Sequence, residues 1–181
     1  DAGFTPKRFE KEIANINTMS PDELKELIEC GQYVPAYMWN QNGWLCSKMN
    51  LHIISQTQKC YPTTHTADLF STTLNATIKA GDPTGMRAVV TTETEEGITL
   101  ETECVGKVFA PDDFDRNDWT FIGEPETTVS VNRPATVEMT CATIVNRIPQ
   151  LIDAPAGYVT TDKYSYNEYC VHDLNTYVKS K

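Results

Sequence analysis

The spacing of hydrophobic residues divides the chain into helical and extended segments. In residues 133–157 the apolar side chains recur at i, i+4, i+7, i+8 and i+11, the spacing of one helical face. They are Val137, Cys141, Ile144, Val145 and Ile148. Pro134 suits the first turn of this helix, and Asn132 can cap it. Pro149 is predicted to end or kink the helix, and Ala154-Pro-Ala-Gly157 to form a turn.

The N-terminal third predicts further helices. Phe4–Ile13 begins with a Thr-Pro pair that fits a cap and a first helical position, with Thr5 as the cap. Ser20–Glu29 begins with the Ser-x-x-Glu pattern of a capping box, and Gly31 follows as a C-terminal cap. A third helix is predicted over Gly43–Ile54. Three helical segments therefore precede the extended part of the chain.

From residue 68 onward, apolar and polar residues alternate with the period of strands. The predicted strands are Leu69–Lys79, Met86–Glu93, Ile98–Phe109 and one or two within Asp118–Val131. Short links between them favour antiparallel pairing, and the threonine excess favours one wetter face. The order of elements predicts an α+β fold: an antiparallel or mixed sheet of about four strands with helices on one face. We expect a single domain over residues 1–181.

Charge and cysteine content narrow the range of partners. The net charge of −10 argues against nucleic acid, because phosphate binding depends on Lys and Arg. No apolar run is long enough to span a membrane, and no secretory leader is visible, so we expect a cytoplasmic protein with no membrane partner. In that reducing compartment its six cysteines are predicted to be free thiols.

Several patterns in the chain lack a residue or a spacing that the corresponding functional motif requires. No three of the nine glycines form G-x-G-x-x-G, so no dinucleotide-binding Rossmann domain is predicted in this chain. Cys46, His52, Cys60 and His65 lack the tight C-x2-C pair of zinc modules. The acidic segment from Asp113 to Glu124 has calcium-loop spacing, but Asp118 stands where the loop needs glycine. We therefore predict no metal.

Two segments of the last helix and the turn after it carry a family resemblance. Asn146-Arg-Ile-Pro149 and Ala154-Pro-Ala-Gly157 resemble the C-terminal part of the 2,4-diaminopentanoate dehydrogenase family. More broadly they resemble amino-acid dehydrogenases with a dihydrodipicolinate-reductase-like substrate domain. The resemblance runs from about Gly3 to about Lys163 and includes three further segments: Gly3-Phe-Thr-Pro-Lys-Arg-Phe-Glu10, Thr84-Gly-Met-Arg87 and Glu103-Cys-Val-Gly106.

The resemblance implies that the chain is the C-terminal substrate domain of a longer NAD- or NADP-dependent enzyme. Such a domain follows the Rossmann fold, which would bind most of the cofactor, and it makes the contacts of a homo-oligomer. The implied reaction is oxidative deamination of an amino or diamino acid. Residues on the last helix are implied to face the substrate cleft: Thr136, Thr140, Asn146 and Arg147. No catalytic acid or base is named, and this chain alone is expected to be inactive.

A second interpretation stays open. The chain could be a stand-alone, non-catalytic module that binds a small molecule or forms dimers. The two interpretations differ in whether a cofactor-binding domain belongs to the same polypeptide.

Overall fold

The computed structural model describes residues 5–164 and 166–178. Phe4, the first residue of the predicted helix Phe4–Ile13, and Gly3, the first residue of the resembling segment Gly3–Glu10, lie outside the described residues. The described chain forms two compact units, residues 1–111 and 112–181. Helices and antiparallel strand pairs make up both units, which confirms the α+β class. None of the described helices is long and apolar enough to cross a membrane.

The first unit begins with three short helical segments and a regular helix. Helix α1 is Pro6–Arg8, and it continues into a π-helical turn, Phe9–Ile13, and a 3-10 turn, Ala14–Thr18. Thr5 Oγ1 accepts from the Arg8 N–H at 3.2 Å, so its predicted cap is confirmed.

Helix α2, Pro21–Glu29, follows as predicted. Its capping box is present, since Ser20 accepts from the Glu23 N–H while the Glu23 carboxylate accepts from the Ser20 N–H. Gly31 follows with φ +74°, the left-handed conformation that glycine tolerates best.

Helix α3 spans Tyr37–Met49, so the predicted third helix starts six residues too late and ends five too late. Asn50 stops it in the left-handed conformation, φ 56°. The chain then enters strand β1, Ile53–Thr64, which the sequence did not predict. Its inward-facing Gln56 and Gln58 bind α3, through the Trp39 carbonyl at 2.9 Å and the Ala36 N–H at 3.1 Å.

One three-stranded antiparallel sheet, in the order β1-β4-β5, forms the centre of the first unit. Strand β4 is Pro83–Thr94 and β5 is Thr99–Lys107. One face of the sheet is covered by the π-helical turn, the 3-10 turn and helix α2. There Ile16 and Leu24 pack against Cys60 and Ala88 in the core. We call this packed face the inner face of the β1-β4-β5 sheet, and we call the opposite face its outer face.

The threonines do not all lie on the wetter face. Thr92 is 0% exposed and Thr94 is 4% exposed, both on the inner face. Each is hydrogen-bonded: Thr94 Oγ1 donates to the Ile98 carbonyl at 2.7 Å, and Thr92 Oγ1 accepts from Asn42 Nδ2 at 3.0 Å. Asn42, also fully buried, extends this polar contact between α3 and the sheet.

The predicted strand Leu69–Lys79 is instead a hairpin. Strands β2, Leu69–Ser71, and β3, Ala76–Ile78, pair antiparallel around a turn that ends at Asn75, φ 49°. Apolar and polar residues continue to alternate through the turn, so the sequence pattern alone does not reveal that the chain reverses direction there.

The second unit holds a hairpin and the last helix. Strands β6, Arg116–Phe121, and β7, Thr127–Asn132, pair antiparallel on either side of the predicted break at residues 123–125. Helix α4 spans Thr136–Ile152. Ala135, not Asn132, is its N-cap, because Asn132 is the last residue of β7. Pro149 does not end the helix, which runs on for three more residues.

Candidate functional site

One polar face of α4 holds the C-terminal segment of the chain. Residues 143, 146, 147 and 150 follow the i, i+3, i+4, i+7 spacing of a single helical face. Asn146 Oδ1 accepts from the Cys170 N–H at 3.0 Å, and Gln150 Nε2 donates to the Tyr166 carbonyl at 2.9 Å. The Thr143 carbonyl accepts from Asn167 Nδ2 at 3.1 Å. The segment is thus attached to α4 along two turns.

Arg147 lies at the centre of this face. Its guanidinium donates to Gln150 Oε1 at 2.5 Å and lies 5.4 Å from the centre of the Tyr164 ring. A planar guanidinium stacks well on an aromatic ring and still presents N–H groups at its edge. Arg147 is therefore held in place as a fixed positive charge, which suits a group that orients a carboxylate.

Thr140 and Thr136 lie about two and three turns from Arg147 toward the start of α4. Thr136 Oγ1 donates to Asp115 Oδ2 at 2.9 Å, and this bond joins the helix start to the segment before β6. Thr140 Oγ1 donates to the Thr136 carbonyl at 2.8 Å, the back-bonding common for threonine in helices. Both hydroxyls have partners within their own unit.

All four sequence-predicted residues lie on the same side of α4, and each bonds to a neighbour in the second unit. Asn146 and Arg147 come closest together, where they hold the C-terminal segment. A role for any of the four in binding substrate stays a prediction. The opposite side of α4 carries the apolar stripe, where Val137 is 72% exposed and Ile144 is 65% exposed.

Sequence reasoning did not single out a groove at one end of the outer face of the sheet. It has a volume of about 530 Å3 and is lined by Tyr61, Arg87, Val105 and Lys107, together with residues 62–64. The Arg87 guanidinium lies 5.0 Å from the centre of the Tyr61 ring, and its Nε is 3.4 Å from Glu103 Oε2. The groove is therefore basic, open and partly aromatic.

A histidine–glutamate pair joins the start of β1 to the β4–β5 turn. His52 Nδ1 lies 2.6 Å from Glu96 Oε1, and the His52 N–H donates to Glu96 Oε2 at 3.0 Å. The hydrogen bonds from His52 lower the pKa of the Glu96 carboxyl to about 2, and the same contact raises the pKa of His52. This exposed pair is a structural clamp whose charge state depends on pH.

The cysteines and histidines do not gather into a metal site in the part of the chain that the structure describes. Six free thiols lie there, with Cys46 and Cys60 buried and Cys30 and Cys141 exposed. Burial raises the pKa of the Cys60 thiol, which makes it a poor nucleophile.

The described residues also do not fit a dinucleotide. Every strand pair among them is antiparallel, and no glycine-rich turn leads from a strand into a helix. Rossmann-type binding needs both a parallel sheet and that turn.

The fold has a counterpart among dehydrogenases of known structure. The solved structure of an amine dehydrogenase from Mycobacterium smegmatis superimposes with a TM-score of 0.70 and 32% sequence identity. The match covers 86% of this chain and 47% of that protein, so the chain spans about half its length. No protein-family model and no curated protein matches the sequence. The comparison supports a dehydrogenase-like fold.

Proposed function

We propose that this chain is the substrate-binding and subunit-contact part of an NAD- or NADP-dependent oxidoreductase that oxidises an amine carbon–nitrogen bond. The observation that carries the proposal is the likeness to an amine dehydrogenase over 86% of the chain, at 32% identity. The resemblance of the Asn146–Pro149 and Ala154–Gly157 segments to diamino-acid dehydrogenases supports an amino or diamino acid as the substrate. The cytoplasm is the compartment we propose, as the six unpaired thiols favour a reducing environment.

The nucleotide would supply hydride transfer, and most of its binding surface would belong to a domain outside this chain, since the described residues do not fit it. What these residues offer is binding and orientation. Arg147 is the residue we assign to the substrate carboxylate, because it is cationic and fixed by Gln150 and Tyr164. Asn146, next to it in the chain, and Thr140 and Thr136, toward the helix start, are the other residues of α4 that we assign to the substrate side.

The test is nicotinamide reduction by the native polypeptide, offered a panel of diamino acids, amino acids and simple amines with each nucleotide. We expect turnover with at least one amine and none with chain 1–181 alone. An inactive native polypeptide, or nicotinamide reduction by the isolated chain, would refute the proposal.

The variant Arg147→Gln tests whether Arg147 binds the substrate carboxylate, as opposed to a general loss of folding or activity. We expect KM for the amino-acid substrate to rise at least about tenfold, the cost of losing a charge-assisted contact, while kcat changes less. Thr143→Ser is the matched control, because Thr143 Oγ1 donates to the Met139 carbonyl one turn back and serine keeps that hydroxyl. If the two variants changed KM equally, the proposed role of Arg147 in binding the carboxylate would be wrong.

A further inference from the structure

Residues 166–177, here called the C-terminal strap, lie along the polar face of α4 that carries Asn146 and Arg147. The resemblance to diamino-acid dehydrogenases ends at about Lys163, so it describes nothing of this segment. Three hydrogen bonds attach the strap to α4: Asn167 Nδ2 to the Thr143 carbonyl, the Cys170 N–H to Asn146 Oδ1, and Gln150 Nε2 to the Tyr166 carbonyl. These bonds extend over residues 143–150, about 10 Å of helix. The strap therefore lies along the turns of α4 that we assign to the substrate.

The strap offers α4 the same two kinds of group that an amino acid would offer. At Asn146 it presents an N–H, as a substrate amine does, and at Gln150 it presents a carbonyl oxygen, as a substrate carboxylate does. Asn146 and Gln150 are four residues apart, so their side chains are neighbours on one helical face. Gln150 also accepts from Arg147, which links the strap to the cation assigned to the carboxylate. A substrate bound there needs the positions that the strap occupies.

The strap is attached to α4 mainly by polar contacts. Tyr166, Tyr169 and Val171 are each 75% or more exposed, so these large side chains bury little apolar surface against the helix. Hydrogen bonds contribute little net stability, because both partners bond to water when they separate, and ordering a chain segment is unfavourable. Asn167 Oδ1 adds a cost, since it is buried with no hydrogen-bond partner among the described residues and would regain water if the strap opened. A segment with so little stabilisation is one that a ligand can displace.

The far end of the strap is held by contacts within the strap itself. The N–H groups of Val171 and His172 donate to the Tyr177 hydroxyl at 2.9 and 3.2 Å. The rings of His172 and Tyr177 stack with their centres 6.4 Å apart. Because these contacts are internal, they persist when the strap leaves α4, and they provide a control that does not alter the helix.

We propose that residues 166–177 form an autoinhibitory strap, which occupies the positions of the substrate's amine and carboxylate at Asn146 and Gln150 until the substrate displaces it. The inference deepens the proposed function and rests on it. Substrate then binds only to the open fraction of the protein, so the apparent affinity falls in proportion to that fraction. A strap that is open about one-tenth of the time raises the apparent KM about tenfold.

The test is the KM of the native polypeptide for 2,4-diaminopentanoate, measured with and without the strap. A variant that ends at residue 165 removes the strap and keeps Tyr164 against Arg147. We expect its KM to fall about tenfold, while kcat changes less than about twofold. Cys170→Pro is a second variant, because proline has no N–H to donate to Asn146, and it should lower KM about threefold, the net effect of one hydrogen bond. Circular dichroism checks that each variant is folded.

Tyr177→Phe is the matched control, because it removes two internal hydrogen bonds of the strap and keeps a ring beside His172. Its KM should stay within about twofold of the wild type. Hydrogen exchange gives a readout besides activity. Added 2,4-diaminopentanoate should speed exchange of the Cys170 N–H, because that group loses its partner when the strap opens. Slower exchange would mean that the segment closes over the substrate, which would overturn autoinhibition.

The kinetic outcomes separate the strap from the proposed function. Turnover with a KM that is unchanged or raised in the shortened variant would overturn the strap and leave the proposed function standing. If neither form oxidises 2,4-diaminopentanoate, the strap as proposed is wrong, and the other amines of the panel decide the proposed function.

Discussion

Replacement of Gly85 by alanine should damage the sheet where β4 pairs with β5. A Cβ at Gly85 would lie 2.7 Å from the Lys107 Cβ and closer still to the backbone of Gly106 and Lys107. No rotamer change removes a clash with backbone, so β5 would have to move away from β4. Overpacking of this kind costs about 1–3 kcal/mol, and a lost ladder hydrogen bond adds about 1 kcal/mol. We expect the free energy of unfolding to fall by about 2–4 kcal/mol.

Gly43→Ala is the matched control. Gly43 lies inside α3, and a Cβ there would have no atom within 4 Å. Alanine should stabilise the helix by about 0.5–1 kcal/mol. Urea unfolding followed by tryptophan fluorescence and circular dichroism measures both variants. A Gly85→Ala protein within about 0.5 kcal/mol of the wild type would refute the register of β4 and β5, given ordinary errors in such measurements.

Three further results are expected. Asn42→Ala removes the hydrogen-bond donor to Thr92 and should lower the free energy of unfolding by about 1–3 kcal/mol. Urea unfolding measures this, and an unchanged free energy would contradict the buried contact. The His52–Glu96 pair should stabilise the fold most between pH 4.5 and 6.5, the two ordinary pKa values. Its contribution should fall below that window as Glu96 is protonated toward its folded pKa, and above it as pH rises through the raised pKa of His52. Thermal unfolding of His52→Gln and wild type across pH tests this, and a constant difference between them would be the contrary result. A thiol reagent should label Cys30 and Cys141 first in the folded chain and all six cysteines after denaturation; early labelling of Cys60 would contradict its burial.

Local signals predicted α2 well because they lie within one turn of helix. The capping box, the acidic first turn and Gly31 act on neighbours in sequence, so no knowledge of the fold is needed to recognise them. The α+β class followed from the order of such segments. In contrast, β1 has glutamines on its buried side, and these are stabilised there by hydrogen bonds to the backbone at Ala36 and Trp39 and, for Gln58, to the Tyr33 hydroxyl. Such a distant partner is invisible in a hydrophobic pattern.

In the candidate site too, some residues could be predicted from the sequence, whereas their contacts depend on partners distant in sequence. Asn146 and Arg147 could be chosen from the sequence as polar residues of a helix that the family resemblance places near a substrate cleft. Their partners Cys170 and Tyr164 lie 24 and 17 residues further along the chain. The basic groove at Arg87 depends on strand register, which pairs residues far apart in sequence. Its charges are scattered in the sequence and come together only in the sheet.

The central claim is that these residues form one part of a longer oxidoreductase, whose cofactor-binding domain belongs to the same polypeptide. Intact mass of the native polypeptide from its source cells tests this most directly. We expect a mass well above 20.3 kDa, with added N-terminal residues that carry G-x-G-x-x-G. A native mass of 20.3 kDa would contradict the claim and favour a stand-alone binding or dimerisation module.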